Sequence, residues 1–180
     1  MQKGFPNKYF FLISLLVMYK QLLITRNFSH PIDTVFEAFT SAESLQKWWG
    51  PEGFVMETKR FEFHPEGIFH FVLRSDAFEM WAKWIFQNIR GPHKLSMINS
   101  FSNESGETVN APEIPFGSDW PLEMILDLEF FEEEGITRID LVSFPHNASD
   151  ASKAVFSESI PQMEEGFKGT FDQLEDYLNK

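Results

Sequence analysis

The chain has no cysteine. That excludes disulfides, thiolate nucleophiles and cysteine metal sites, and it fits a reducing, cytoplasmic setting. Basic residues are few: 15 Lys and Arg stand against 27 Asp and Glu, a formal net charge of −12. Nucleic-acid binding needs clustered cations to displace counterions, so no nucleic-acid partner is expected, and a strongly anionic ligand is disfavoured. A long apolar run is also missing. The longest, Tyr9 to Tyr19, falls short of the roughly 20 residues that cross a bilayer, so no stable membrane span is expected. Neither H-E-x-x-H nor H-x-x-x-H occurs. His30, His64, His93 and His146 sit beside proline in predicted turns, and His70 lies in a predicted strand between Phe69 and Phe71. No metal site and no cofactor are expected from such spacing. Nor is there a G-x-S-x-G elbow for nucleophilic catalysis.

What the chain has in excess is aromatic surface: 21 Phe and 5 Trp, with 7 Met. Aromatics bury large areas, so the interior is either a bulky core or an aromatic-lined cavity. The clearest local signal lies at the end of the chain. Ile160, Met163, Phe167, Phe171, Leu174 and Leu178 are spaced three or four apart, the pattern of one helix face. Such a stripe must be buried against something, and the strands upstream are the available partner.

Residues 1–20 do not match the rest. Lys3 and Lys8 precede a short apolar run, as in a secretion signal, but no small-x-small cleavage site follows. Three readings stay open: a start-site extension with the natural chain beginning at Met18, a signal, or an interfacial anchor. Residues 21–180 form the single domain.

Within it, Gln21 to Ser29 reads as a strand, and His30-Pro31 opens a helix carrying Ile32, Val35, Phe36 and Phe39. Thr40-Ser41-Ala42-Glu43 has the form of a capping box that starts a second short helix with Leu45, Trp48 and Trp49. Strands are expected at 54–63, 68–74, 78–90, 95–101, 122–131 and 136–144, with a loop at 102–121. Glu132-Glu133-Glu134-Gly135 reads as a solvated hairpin tip. Ser159-Ile160-Pro161-Gln162 predicts a break in the final helical region. Strand, two short helices, a meander and a long helix make an α+β fold.

Strand alternation puts Phe78, Met80, Ala82, Trp84 and Phe86 on one face and Trp81, Ile85 and Ile89 on the other. The first face is the richer in large apolar groups and is assigned inward. Trp48-Trp49 could close one end of a ligand cavity; the plainer reading, since adjacent helical residues diverge by about 100°, is that one ring plugs the core and the other lies on the surface. Glu57, Glu62 and Glu79 offer paired carboxylates for acid–base work, against the plainer reading of a solvated strand face.

Several pieces resemble the heat-shock-chaperone ATPase activator homologue (AHSA-like) family of the START/birch-pollen-allergen-like superfamily, SRPBCC. They are His30-Pro31 with Val35 to Thr40, Leu45 to Phe54, His64 to Gly67, Ile89 to Leu95, Trp120-Pro121, Thr137-Arg138, Glu165-Gly166-Phe167, Leu174 and Tyr177-Leu178. The resemblance implies a helix-grip fold: a curved antiparallel sheet of about seven strands around a long C-terminal helix, with a cavity between them. Three departures stand out. Glu66-Gly67 replaces a usual pair of glycines, Trp84 replaces a usual glycine that would leave the cavity open, and Asn88 replaces a usual Glu, which removes one candidate acid or base.

Three functions follow as expectations. The first is a binding module for an apolar or aromatic small molecule, contacted by Trp48, Phe69, Phe71, Phe78, Met80, Trp84, Phe86, Met163, Phe167 and Phe171. The second, implied by the family name alone, is an interaction protein of the stress response that modulates a chaperone ATPase. The third is a cyclase or hydrolase acting on an aromatic substrate, although no residue is assigned a catalytic role. A homodimer is compatible with all three.

Overall fold

Alternating apolar residues from Leu22 onward pay for strand formation only if one face is covered, and a single long helix does the covering. The computed structural model describes residues 20–180, so the readings of residues 1–17 fall outside the described residues. Seven strands form one antiparallel sheet: β1 (Leu22–Phe28), β2 (Val55–Phe61), β3 (Ile68–Arg74), β4 (Glu79–Arg90), β5 (Lys94–Phe101), β6 (Glu123–Glu133) and β7 (Ile136–His146). Their spatial order is β1-β7-β6-β5-β4-β3-β2, a meander from β2 to β7 with β1 returning beside β7. Two short helices, α1 (Ile32–Glu37) and α2 (Ala42–Trp48), follow β1. The stretch 102–121 is a loop that contains one short turn of helix, α3 (Glu113–Phe116). The chain closes with α4 (Asp150–Glu158) and α5 (Ile160–Leu178), which break at Ser159. This is the helix-grip arrangement.

Local chemistry sets the ends of these elements. Ser41, not Thr40, caps α2: its Oγ accepts the Ser44 N–H at 3.1 Å. Glu43 is therefore displaced from the capping-box position and pairs instead with Lys47 one turn on. Pro31 gives α1 no side-chain cap. The Ile32 N–H instead donates to Glu132 Oε2 at 2.8 Å. Glu132 is thus a capping group supplied by the β6–β7 hairpin rather than a solvated tip. That hairpin turns through Glu134 and Gly135, both at positive φ (53° and 78°), as a two-residue type I′ turn requires.

At the β2–β3 turn, a Cβ on Gly67 would lie 2.1 Å from the Glu62 carbonyl oxygen, so only glycine fits. Glu66 holds a left-handed φ of 65°, the conformation for which a second glycine is suited. The turn is fixed to β4, with Glu66 N–H donating to Phe86 O at 2.7 Å and Phe86 N–H to Gly67 O at 3.0 Å.

Bulges reset the alternation twice. The β2–β3 register shifts between Thr58 and Arg60, which brings Phe61 opposite Phe69 on the concave face. The β4–β5 register shifts between Phe86 and Asn88. Beyond it Ile89 pairs with fully buried Leu95 and packs on the core. Ile89 therefore faces inward, contrary to simple alternation, because a bulge inserts one residue and flips the face of everything after it.

The core is densest where α1 and α2 meet the sheet. Phe36 and Phe39 each meet Phe130 edge to face, and Phe39–Trp48 centroids lie 4.8 Å apart. Trp48 is 1% exposed, and its Nε1 donates to Ala38 O at 3.0 Å. The final helix is unevenly buried. Phe171 and Leu174 are sealed, whereas Ile160, Met163 and Phe167 in its first half are only partly covered. That difference locates the site.

Candidate functional site

Beneath the first half of α5 the sheet and helix stand apart. The gap is a cavity of about 610 Å³, partly open to solvent. Its floor is the concave face of the sheet: Phe71 and Leu73 from β3, Met80 and Ala82 from β4, Asn99 and Phe101 from β5, Met124 and Leu126 from β6, and Ser143 from β7. Its roof is α5, through Met163, Gly166, Phe167 and Thr170, with Gln162 at the edge. One wall is Trp49-Gly50-Pro51, where α2 ends; the other is Pro115, Phe116 and Trp120 from the loop after β5.

The Trp49 wall is held to the roof. Both Thr170 Oγ1 and Gln173 Nε2 donate to Gly50 O, at 3.2 and 2.6 Å. Gly50 has φ 123°, which lets the chain turn sharply off α2. On the far side, aromatic contacts run from Phe101 to Phe116 (4.9 Å) and from Phe116 to Trp120 (5.0 Å), so the loop folds back over the cavity.

Of the residues expected to contact a ligand, Phe71, Met80, Met163 and Phe167 line the cavity. Trp48, Phe69, Trp84, Phe86 and Phe171 lie in the sealed core behind it. Phe78 packs on Phe54 outside the lining. Trp84 does fill interior space, stacked edge-on against Trp49, Phe69 and Phe71, yet the cavity persists beside it.

Of the pair Trp48-Trp49, read as a possible cavity end, only Trp49 lines the cavity, and the lining residues not expected there had detectable signals. Trp49 sits on the C-cap with extended backbone (φ −78°, ψ 129°), so helical geometry does not apply to it and its ring reaches the cavity instead of the surface. Asn99 and Ser143 interrupt two apolar alternations, Leu95-Met97-Asn99-Phe101 and Ile139-Leu141-Ser143. Phe116 and Trp120 are large aromatics in a segment that turn residues marked only as loop.

Ionisable groups gather elsewhere. None of the described residues lining the cavity is Asp, Glu, His, Lys or Arg. Glu57 and Glu79 lie on the convex face. Lys59 and Arg74 hold the Glu57 carboxyl below its ordinary range, and Arg74 and the Trp81 N–H do the same for Glu79. Glu62 is lowered by Arg60. These are exposed ion pairs, and they leave the acid–base reading without geometric support. Trp81, also convex, lies between Lys59 and Arg74 at 5.5 and 5.8 Å. Beside it His70 is 6% exposed under the 102–107 loop, its Nε2 donating to Asn103 O at 3.1 Å, and burial pushes its pKa down. Among the described residues no three His, Asp or Glu side chains converge as a metal would require. No helix among them is long and apolar enough to cross a membrane.

A curved sheet gripping a long helix, with a partly open cavity between them, defines a helix-grip protein. More specifically, the chain belongs to the family described as Activator of Hsp90 ATPase homolog 1-like protein, whose model matches residues 29–179. No curated protein matches the sequence. Solved structures share the fold. A protein from Arthrobacter aurescens superposes with a TM-score of 0.71 at 20% identity, over 89% of this chain and 87% of that one. A protein from Staphylococcus epidermidis gives 0.70 at 22% identity, over 88% and 89%. The AHSA1 protein of Silicibacter pomeroyi gives 0.66 at 15% identity, over 89% and 98%. At such identities the likeness is one of fold.

Proposed function

We propose that this protein is a binding module for an apolar or aromatic small molecule, held between the concave sheet and the first half of α5. The observation that carries the reading is the way the helix stripe divides. Phe171 and Leu174 are sealed, while Met163 and Phe167, on the same stripe, border a cavity of about 610 Å³. That is the size range of pockets for small organic molecules. Flexible Met80, Met124 and Met163 can adapt to a guest, and aromatic walls supply contact area. Because Trp49 and Trp120 border the space, a neutral naphthylamine probe should change tryptophan fluorescence saturably and be displaced by other apolar compounds. A probe that binds only the unfolded protein, or not at all, would sink this reading.

The family description favours a second reading, modulation of a chaperone ATPase. Its test is the ATPase rate of the chaperone from the same organism with and without the purified chain. An unchanged rate and no complex on size-exclusion chromatography count against it.

A further inference from the structure

We propose that the cavity selects a neutral guest bearing a hydrogen-bonding oxygen or nitrogen, such as a ketone, amide or phenol, and that Asn99 and Ser143 read that polar group. The inference rests on the binding reading above and specifies its ligand.

Asn99 pairs with Trp84 and Met124 across the sheet, and Ser143 pairs with Leu126, so both share the concave face with apolar neighbours. Both line the cavity. Neither side chain hydrogen-bonds to any described residue, whereas the polar roof residue Thr170 is satisfied by Gly50 O and Gly166 O. An amide or hydroxyl placed on an apolar floor without a partner loses stability that a methyl-bearing residue would not lose. Such groups are recovered when a guest supplies the partner.

Charge decides what kind of polar group fits. No described lining residue carries a cation to neutralise an anionic head, and the net charge of −12 repels one at long range. An ionised head would be desolvated without compensation. Neutral donors and acceptors match an amide, which offers both, and a hydroxyl, which can turn to suit either. On the sheet lattice, Asn99 and Ser143 stand two strand spacings apart and two residues out of step, or on the order of 12 Å between their Cα atoms. A guest with a ring-sized body can therefore reach either group from the cavity centre.

The test compares three molecules of one carbon skeleton: naphthalene, 2-acetylnaphthalene and 2-naphthoate, titrated calorimetrically into the full chain. The ketone should bind about tenfold more tightly than the hydrocarbon, one good hydrogen bond's worth, and the carboxylate most weakly. Asn99→Leu with Ser143→Ala should erase the ketone's advantage over naphthalene. Retention of naphthalene binding also shows that the variant folds. Equal affinity for ketone and hydrocarbon, a preference for the carboxylate, or a ketone preference that survives the double variant would overturn the inference while leaving the binding reading intact. If none of the three binds, the binding reading falls and takes this inference with it.

Discussion

Trp49 and Trp84 meet edge to face, with ring centroids 4.7 Å apart and planes at 86°. The contact divides the interior: Trp84 is 1% exposed and belongs to the core, while Trp49 stands in front of it and borders the cavity. Truncating the two should therefore have different consequences. Trp84→Ala should cost about 3–5 kcal/mol, as for other buried large aromatics, and let Trp49 sink into the void. Trp49→Ala should cost less, on the order of 1–2 kcal/mol, yet weaken probe binding more. Urea unfolding paired with probe titration separates the effects. A larger stability loss at Trp49 would mean that the wall and the core have been exchanged.

The same division runs along α5. Phe171 is 1% exposed and touches Phe28 edge to face at 5.9 Å. Phe167, one turn earlier, is only partly buried over the cavity. Phe171→Ala should lose about 3–5 kcal/mol, and Phe167→Ala roughly half as much, because its far side already lacks packing partners. Equal losses in chemical denaturation would show the cavity closed in solution.

Helix periodicity predicted that whole stripe correctly but could not tell which half was covered, since period reports a face and not what lies opposite it. The succession of elements along the chain and most strand limits were legible for a similar reason: alternation and turn residues act locally. Ile89 was misplaced because a bulge depends on how the Gly67 turn docks on Phe86, a contact between strands. The cavity walls were harder still. Phe116 and Trp120 reach the site by a loop path that no period describes. Trp49 leaves its helix at the last residue, so the 100° rule that separated it from Trp48 had no helix to act on. Asn99 and Ser143 were visible as polar breaks in apolar alternations, though their meaning required the cavity.

His70 gives a pH dependence on the convex face. It is buried under the 102–107 loop beside Trp81, with the Lys83 and Lys59 cations facing it and Lys83 anchored on Gly106 O at 2.7 Å. Desolvation first, then those lysines, lower its pKa from the ordinary 6.5. The unfolded chain therefore takes up this proton before the folded one does. The stability supplied by neutral His70 is complete above the ordinary value and is lost as the pH falls from there toward the depressed folded value. Urea midpoints measured from pH 8 to pH 5 should decline more for the wild type than for His70→Gln. Parallel curves would show that His70 titrates normally and is not sealed by the loop.

Gly166 offers the most direct link between fold and guest. It shares the α5 face with Met163, Phe167 and Thr170 and lines the cavity, and a Cβ built on it meets no heavy atom within 4 Å. A glycine inside a helix is destabilising by roughly 0.5–1 kcal/mol relative to alanine. Gly166 is exposed at the rim of the cavity, and neither a positive φ nor a close neighbour demands glycine there. Gly166→Ala should raise the melting temperature by a few degrees. Gly166→Leu should leave stability near the wild-type level while its side chain occupies the cavity, so that the naphthylamine probe loses most of its affinity. A Gly166→Leu protein that melts like the wild type and still binds the probe undiminished would place the guest somewhere other than beneath α5.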